Sequence, residues 1–248
     1  MKKYILLLMV ALIFVSCTSK TPYTNRSQMI LMSESEELSL GEKSYNQALE
    51  QLEVIKNTYN ANRVKQIGER IAAVSDKKDY EWEFSLVKND AANAFCLPGG
   101  KVVVFTGILK YAKNDDQLAT VISHEIAHAL ARHGAERVSM SKVKSGIGTI
   151  GNIVLTGIGS PYSNVFNQAY GITTQFGVML PYGRMHEHEA DEIGIILMKK
   201  AGYNISEALN FWSNMSQNSK GNVEFFSTHP SSENRITHIK EIITRIEG

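Results

Sequence analysis

Residues 122–133, with the sequence ISHEIAHALARH, place histidines and a glutamate in an otherwise apolar stretch. His124 and His128 are four residues apart, so in a helix they lie one above the other on the same face. Glu125 lies beside them, about 60° around the helix from His128. Two imidazoles at this spacing can bind Zn²⁺ while the carboxylate reaches a metal-bound water. The stretch therefore predicts half of a catalytic zinc site.

The alternative is an ordinary core helix in which both histidines are satisfied by protein partners. The side chains around them are apolar on nearly every side of the helix: Val121, Ile122, Ile126, Ala127, Ala129 and Leu130. This pattern predicts burial, and buried histidines and glutamates left unpaired cost free energy. A metal ion would supply the missing partner, so we favour zinc.

A catalytic zinc usually takes three protein ligands and keeps one position for water. The G-x-x-H continuation that supplies a third histidine in other zinc peptidases does not follow His128. A carboxylate from a second helix is therefore expected, and the segment MHEHEADEIG (185–194) is acidic enough to supply it. The candidates in this segment are Glu187, His188, Glu189, Asp191 and Glu192.

Helical spacing separates these candidates. Glu187, Ala190, Asp191 and Gly194 share one stripe of a helix. Ala190 and Gly194 are small enough to let two helices approach, as a metal shared between helices requires. We therefore predict Glu187 as the third ligand. Asp191, one turn further on, is placed to orient a ligand histidine through its second ring nitrogen.

Three nearby residues are not expected to take part. His133 follows His124 by nine residues, which turns it about 180° around a continuous helix. We expect it at the end of the helix, away from the metal. Glu189 and Glu192 are expected to point into solvent, and the alternative for the whole acidic segment is an exposed helix start.

Hydrophobic periodicity predicts the elements that must position these residues. Helices are expected over 33–53, 62–75, 114–137, 185–200, 205–217 and 231–247. Residues 80–87 alternate in polarity and predict a strand, and 93–107 predict two more strands joined at Pro98-Gly99-Gly100. The expected fold is α+β and mostly helical, with a small antiparallel sheet beside the histidine-bearing helix.

Length and charge narrow the function classes. The chain has 248 residues, enough for one domain with a real core. It carries 26 basic and 25 acidic residues, so nothing indicates a nucleic-acid partner. Residues 141–180 are rich in glycine, and we expect this segment either to cover the cleft as a lid or to pack in the ordinary way.

The first residues resemble an export signal. Lys2 and Lys3 precede a short apolar run, 5–15, and FVSC ends at Cys17 like the lipobox of a bacterial lipoprotein. We expect a signal peptide over 1–16, lipid on Cys17, a polar tether over 17–32 and one domain over 33–248. Cys96 then has no disulfide partner. The alternatives are a plain cleaved signal or an uncleaved anchor. The expected location is the cell envelope, with the anchor in the outer membrane and the domain facing the periplasm.

Three motifs together carry a family resemblance. HEIAH (124–128) is followed by RMHEHEADEIG with its R-x-x-E-x-x-A-D core, and then by STHPSSENRI (227–236). Their order and spacing resemble those of the HtpX/BepA/Oma-type zinc metallopeptidases, which are relatives of the CAAX prenyl protease. The likeness extends from about 28 to 246 and is closest to a minimal, lipid-tethered branch. It implies a gluzincin-type metallopeptidase domain.

The resemblance also implies roles for individual residues. One Zn²⁺ per chain would be held by the three ligands His124, His128 and Glu187. Glu125 would be the catalytic base and Asp191 a supporting acid. His229 matches a family histidine that approaches the zinc, either as a resting fourth ligand or as a transition-state donor.

Two arginines also match family positions as supporting residues, namely Arg184 and Arg235. One departure is Gly183, where related sequences commonly carry serine. It leaves the role of that turn open without affecting the predicted ligands.

The predicted activity is zinc-dependent endopeptidase cleavage of unfolded or misassembled proteins in the cell envelope. Glu125 would take a proton from the attacking water and pass it to the leaving amine. Substrate would add as an extended strand at Asn93, Ala94 and Phe95. The alternative is a chaperone-like or binding lipoprotein whose metal site is resting or structural. The oligomeric state is left open.

Overall fold

A computed structural model describes residues 18–144, 183–217, 225, 229 and 234–248. The expected signal peptide (1–16), the expected lipidation site at Cys17 and most of the glycine-rich segment, 145–180, lie outside these residues. Two of the predictions above, the lipid anchor and the lid, therefore stay predictions.

The chain begins with a small antiparallel hairpin. Strand β1 (Thr18–Lys20) pairs with β2 (Ser27–Met29), and the turn between them holds Tyr23 and Asn25 at positive φ. The predicted polar tether over 17–32 did not include this hairpin. Strands this short carry little periodic signal, and the polar side chains of the turn have partners far away in the sequence, as described below.

Two helices and a four-stranded sheet follow. Helix α1 (Glu34–Gln51) begins after Ser33, whose hydroxyl accepts from the backbone N–H of Glu36. Helix α2 is Tyr59–Ala72, and the strands are β3 (Val54–Ile55), β4 (Glu83–Val87), β5 (Ala94–Leu97) and β6 (Lys101–Phe105). Their order is β3-β4-β6-β5, so β5 lies at one edge of this sheet.

The strand pairing confirms a small sheet and adds one feature. The β3–β4 and β5–β6 pairs are antiparallel, whereas β4 and β6 are parallel. Gly99 and Gly100 form the predicted turn between β5 and β6, with φ of 82° and 87°, which L side chains rarely adopt. The mostly helical α+β class is confirmed.

Strand β6 is buried on both faces because the sheet lies between two apolar cores. Val102 and Val104 contribute to the larger core, which continues into the helices that carry the predicted site. Val103 and Phe105 point the other way, into a smaller core with Tyr45 of α1. Because successive side chains of a strand point to opposite faces, this one strand packs against helices on both sides of the sheet.

The histidine-bearing helix ends earlier than its apolar pattern predicts. Helix α3 is Asp115–Leu130, and a new helix, α4, runs over His133–Lys144. Between them Arg132 adopts φ of 53°, and its side chain forms an ion pair with the buried Glu37 of α1. The prediction of one helix to about residue 137 is therefore wrong, because a tertiary contact holds the break.

Three more helices complete the described fold: α5 (Arg184–Lys200), α6 (Glu207–Gln217) and α7 (Arg235–Glu247). Helix α3 packs most extensively against α5. The approach is close at Gly194, where an added Cβ would lie 3.2 Å from the backbone nitrogen of His124. Among the described residues no helix has the length and apolar character needed to cross a membrane.

Candidate metal centre

Four side chains from separate parts of the chain meet at the α3–α5 contact. His124 and His128 come from α3, Glu187 from α5, and His229 from the segment before α7. All four are buried, at 1–2% exposure. One potential ligand atom of each lies within 4.8 Å of the others, so these four residues could hold a metal ion. We call these residues the metal cluster.

The spacing of the ligand atoms fits a tetrahedral zinc ion. Ligands at zinc distances of about 2.0–2.1 Å lie about 3.3 Å from one another at the corners of a tetrahedron. The Nε2 atom of His124 is 3.1 Å from that of His128 and 3.3 Å from Nδ1 of His229. The Glu187 carboxylate lies 3.3 Å from His124, 3.4 Å from His128 and 3.2 Å from His229. Nitrogen and carboxylate oxygen donors are also those that zinc prefers.

Burial and mutual contacts shift the protonation of this cluster. Burial lowers the pKa of His128 well below its ordinary value and keeps its lone pair available. Burial alone would raise the pKa of Glu187. The charge of His229 and the hydrogen bonds from the neighbouring histidines outweigh burial and hold that pKa well below its usual range. A deprotonated carboxylate facing imidazole nitrogens is the state that a zinc ligand set requires.

Asp191 and Arg235 form a second layer around the cluster. Oδ1 of Asp191 is 3.0 Å from Nδ1 of His124, which matches the predicted carboxylate–histidine pair. Arg235 donates to Asp191 at 2.7 and 2.8 Å and to Oε2 of Glu187 at 3.0 Å. Its guanidinium lies 3.6 Å from the centre of the Trp212 ring. Arg235 is only 2% exposed, so it balances two buried carboxylates at once.

Glu125 lies next to the metal cluster without a hydrogen bond between its Oε1 and the cluster. Its Oε1 is buried without a hydrogen-bond partner in the described part of the chain, and Nε2 of His229 is 3.4 Å away. Burial raises its pKa, although the charges of His229 and His124 oppose the shift. A raised pKa together with an open acceptor oxygen is typical of a group that takes up and releases a proton.

A further group of residues beside the metal cluster was not expected from the sequence. We call it the Arg26 cluster, and its members are Arg26, Glu136, His186, Glu189 and His133. Arg26 pairs with both glutamates, at 2.7 Å to Glu136 and 2.6 Å to Glu189. His186 lies 2.9 Å from Glu136 and its ring stacks on that of His133 at 4.3 Å.

Two predictions about this region are corrected. His133 is fully buried, with Nδ1 at 2.9 Å from Nδ1 of His128, so it is not a bystander at a helix end. The predicted rotation assumed a continuous helix, and the break after Leu130 brings the ring back. Glu189 is also not solvated, since it is 6% exposed. Gly134, directly after His133, is the one local signal that a helix break was near.

The remaining predicted residues lie elsewhere. Arg184 is exposed at the start of α5. Among the described residues it has no contact with the metal cluster that would support its predicted role. Asn93 precedes β5 and its carbonyl accepts from the N–H of Phe105 at 3.0 Å. Ala94 and Phe95 belong to edge strand β5, with side chains 1% and 7% exposed. A substrate strand at this edge would meet backbone rather than side chains.

Comparison with known proteins agrees with this geometry. The chain is 39% identical to the mitochondrial metalloendopeptidase OMA1 of Schizosaccharomyces pombe, over 72% of this chain and 51% of that protein. It is 32% identical to the Saccharomyces cerevisiae OMA1, over 97% of this chain and 74% of that protein. It is 26% identical to the beta-barrel assembly-enhancing protease of Escherichia coli, over 92% of this chain and 48% of that protein.

The chain thus spans about half the length of the first and last of these relatives. The profile of peptidase family M48 matches residues 58–243, a range that includes His124, Glu125, His128, Glu187, Asp191 and His229. Zinc is the metal of this family, and the metal cluster can hold one such ion. The chain belongs to peptidase family M48.

Proposed function

We propose that this chain is a zinc-dependent metalloendopeptidase. The observation that carries the proposal is the position of Glu125, whose open Oε1 adjoins a buried cluster with zinc-like spacing between its donor atoms. The relatives named metalloendopeptidase or protease share most of this chain and support the same reaction.

In this proposal His124, His128 and Glu187 would hold the ion. When bound, zinc would supply Lewis acidity, which polarises a carbonyl and makes water more acidic. His229 would then serve either as a resting fourth ligand or as a donor to the developing oxyanion, since its ring lies against both His124 and Glu125.

Glu125 moves the proton. As a carboxylate, its Oε1 accepts the proton of the attacking water. The raised pKa lets the same oxygen keep that proton until the leaving amine takes it. Burial therefore makes one side chain both base and acid within a cycle.

Asp191 and Arg235 position the ligands. Asp191 accepts from Nδ1–H of His124, which leaves the lone pair on Nε2 directed into the cluster. Arg235 holds the Glu187 carboxylate and Asp191 together through hydrogen bonds from two edges of its guanidinium. Neither residue needs to touch the substrate.

The substrate proposal is an extended peptide at β5, along Asn93, Ala94 and Phe95. Strand β5 lies at the sheet edge and packs against α3, so a strand added there would run close to the metal cluster. Recognition through backbone hydrogen bonds is largely independent of sequence, which suits unfolded proteins as substrates.

The decisive experiment replaces Glu125 with glutamine. Cleavage of an unfolded protein should fall by about 10²–10⁴-fold while zinc stoichiometry stays at one per chain. Glu192→Gln is a matched control on α5, because Glu192 pairs only with Arg245 at the surface among the described residues. Proteolysis by Glu125→Gln at the rate of the control would overturn the assignment.

We further propose that the enzyme acts in protein quality control in a bacterial cell envelope, anchored by lipid on Cys17 in the outer membrane and facing the periplasm. One support is the sequence of residues 2–17, in which two lysines precede a short apolar run and the segment FVSC. The other is the protease of Escherichia coli among the relatives of this chain. Cys17→Ala should abolish labelling by a palmitate analogue and release the chain from membranes. Unchanged fractionation would refute the anchor. Proteins retained by Glu125→Gln but not by the wild type would identify substrates.

One observation favours a second function, a chaperone-like or binding protein with a resting metal site. His229 already lies in the metal cluster, and its ring stacks on Phe225 at 4.4 Å. If His229 blocks the reaction, His229→Ala should bind zinc yet cleave faster than the wild type. Chelator-sensitive cleavage by the wild type would instead favour the peptidase.

A further inference from the structure

The Glu189 carboxylate lies at the centre of a contact between the N-terminal hairpin and helix α4. The hydroxyls of Thr21 and Thr24 donate to Oε1, the former at 2.7 Å. Nε of Arg26 and Nε2 of His133 approach Oε2 at 2.6 and 2.9 Å. Three residues of the hairpin, Thr21, Thr24 and Arg26, thus donate hydrogen bonds to the carboxylate that contacts His133.

This arrangement determines which nitrogen of each ring carries hydrogen. An ionised carboxylate only accepts, so His133 donates Nε2–H to Glu189. In the neutral ring, Nδ1 is then an acceptor, and it lies 2.9 Å from Nδ1 of His128. His128 must therefore donate Nδ1–H to His133, which leaves its Nε2 lone pair facing the metal cluster.

Burial and stacking hold the His133 ring in this position. The ring is fully buried. The stacked ring of His186, at 4.3 Å, restricts its rotation.

We propose that Glu189 and His133 are positioning residues that set the tautomer and ring orientation of His128, and that hairpin residues 18–29 complete the metal centre by holding Glu189. His124 has Asp191 for the same purpose, so each histidine of the α3 motif is oriented by a carboxylate, directly in one case and through a second histidine in the other. The inference rests on the proposed function only in taking His128 as a metal ligand.

The first test measures zinc affinity of the full-length chain by competition with a chelating indicator. His133→Phe keeps ring volume but offers no acceptor, and it should weaken zinc binding by about 10–100-fold. His133→Asn carries an amide oxygen near the position of Nδ1 and should recover much of that loss. Equal affinity of His133→Phe and wild type would overturn the proposal, and so would a loss that Asn does not reduce.

The second test addresses the hairpin. Thr21→Val with Thr24→Val removes both hydroxyls from Glu189 and should weaken zinc binding by several-fold, in the direction of His133→Phe. Lys20→Gln is the control in the same hairpin, because Lys20 bonds only to Ser27 at the surface among the described residues. Wild-type affinity in the double variant, or an equal loss in the control, would refute the role of the hairpin.

A third measurement separates positioning from folding. In metal-free protein, ¹⁵N histidine spectra should show His128 protonated at Nδ1 in the wild type and a mixture of tautomers in His133→Phe. If His133→Phe does not fold, the Asn and threonine variants carry the test. If the wild type binds zinc but cleaves nothing, the peptidase proposal fails while these affinity differences still decide the role of His133.

Discussion

The metal cluster and the Arg26 cluster both contain histidine and glutamate side chains from adjoining helices. They differ in which groups face one another. In the metal cluster, imidazole nitrogens and a carboxylate that can each serve as metal ligands lie 3.1–3.4 Å apart around a common point. In the Arg26 cluster, both carboxylates accept from an arginine. Converging acceptors need a cation, whereas paired donors and acceptors satisfy themselves. The contrast distinguishes a binding site from a scaffold.

The largest effect should come from neutralising one glutamate in each cluster. Glu187→Gln removes a proposed ligand, so we expect no stoichiometric zinc and no proteolysis under conditions that saturate the wild type. Glu189→Gln, two residues along the same helix, should retain zinc with affinity lowered by about 10–100-fold. Metal analysis after gel filtration measures zinc content, and competition with a chelating indicator measures affinity. Full zinc content in Glu187→Gln would contradict its assignment as a ligand.

A matched pair of arginine variants should separate the clusters by stability. Arg235→Gln leaves two buried carboxylates without their cation and should lower the free energy of unfolding by about 3–5 kcal/mol. Arg26→Gln removes charged hydrogen bonds nearer the surface, since the Arg26 side chain is 19% exposed, and should cost about 1.5–3 kcal/mol. Urea unfolding of the metal-free proteins gives both values. Equal costs would argue against the difference in burial as the cause.

Helix separation should affect the metal cluster more than its surroundings. An added Cβ at Gly194 would lie 3.2 Å from the backbone of His124 and from Oγ of Ser123, so Gly194→Ala should cost about 1–3 kcal/mol and weaken zinc binding. Gly183→Ala meets no atom within 4 Å and serves as the control, at the N-cap of the same helix. Loss of stability without loss of zinc affinity would mean that the α3–α5 distance is not critical for the ligands.

The smallest effect concerns pH and the Arg26 cluster. Burial opposes ionisation of Glu136, but hydrogen bonds from His186 and Arg26 lower its pKa from 4.5 to about 2. Because the folded pKa lies below the unfolded one, its stabilising contribution is complete above about pH 4.5 and is lost as pH falls towards about 2. The stability difference between wild type and Glu136→Gln should therefore shrink from pH 6 to pH 3 in urea titrations. A constant difference would contradict the pairing.

Much of the fold was predictable because its signals are local. Capping at Ser33, the paired glycines after Pro98 and the apolar periodicity of α2 each depend on neighbours within one element. The metal cluster shared this advantage in part, since His124 and His128 lie on one helix and helical spacing selected Glu187 in α5. The parallel pairing of β4 and β6 and the presence of the hairpin had no comparable local signal.

The sequence by itself determined which residues have zinc chemistry and which helix faces carry them, because side-chain type and helical period are local properties. Only the tertiary structure decided the fate of Glu189 and Glu192, which look alike in the sequence. One lies under the hairpin at 6% exposure, whereas the other pairs with Arg245 at the surface. The tertiary structure also decided that helix α3 ends at Leu130, which brings His133 back into contact with His128. Such contacts join residues distant along the chain, and their free energy exists only once the helices and the hairpin have packed together.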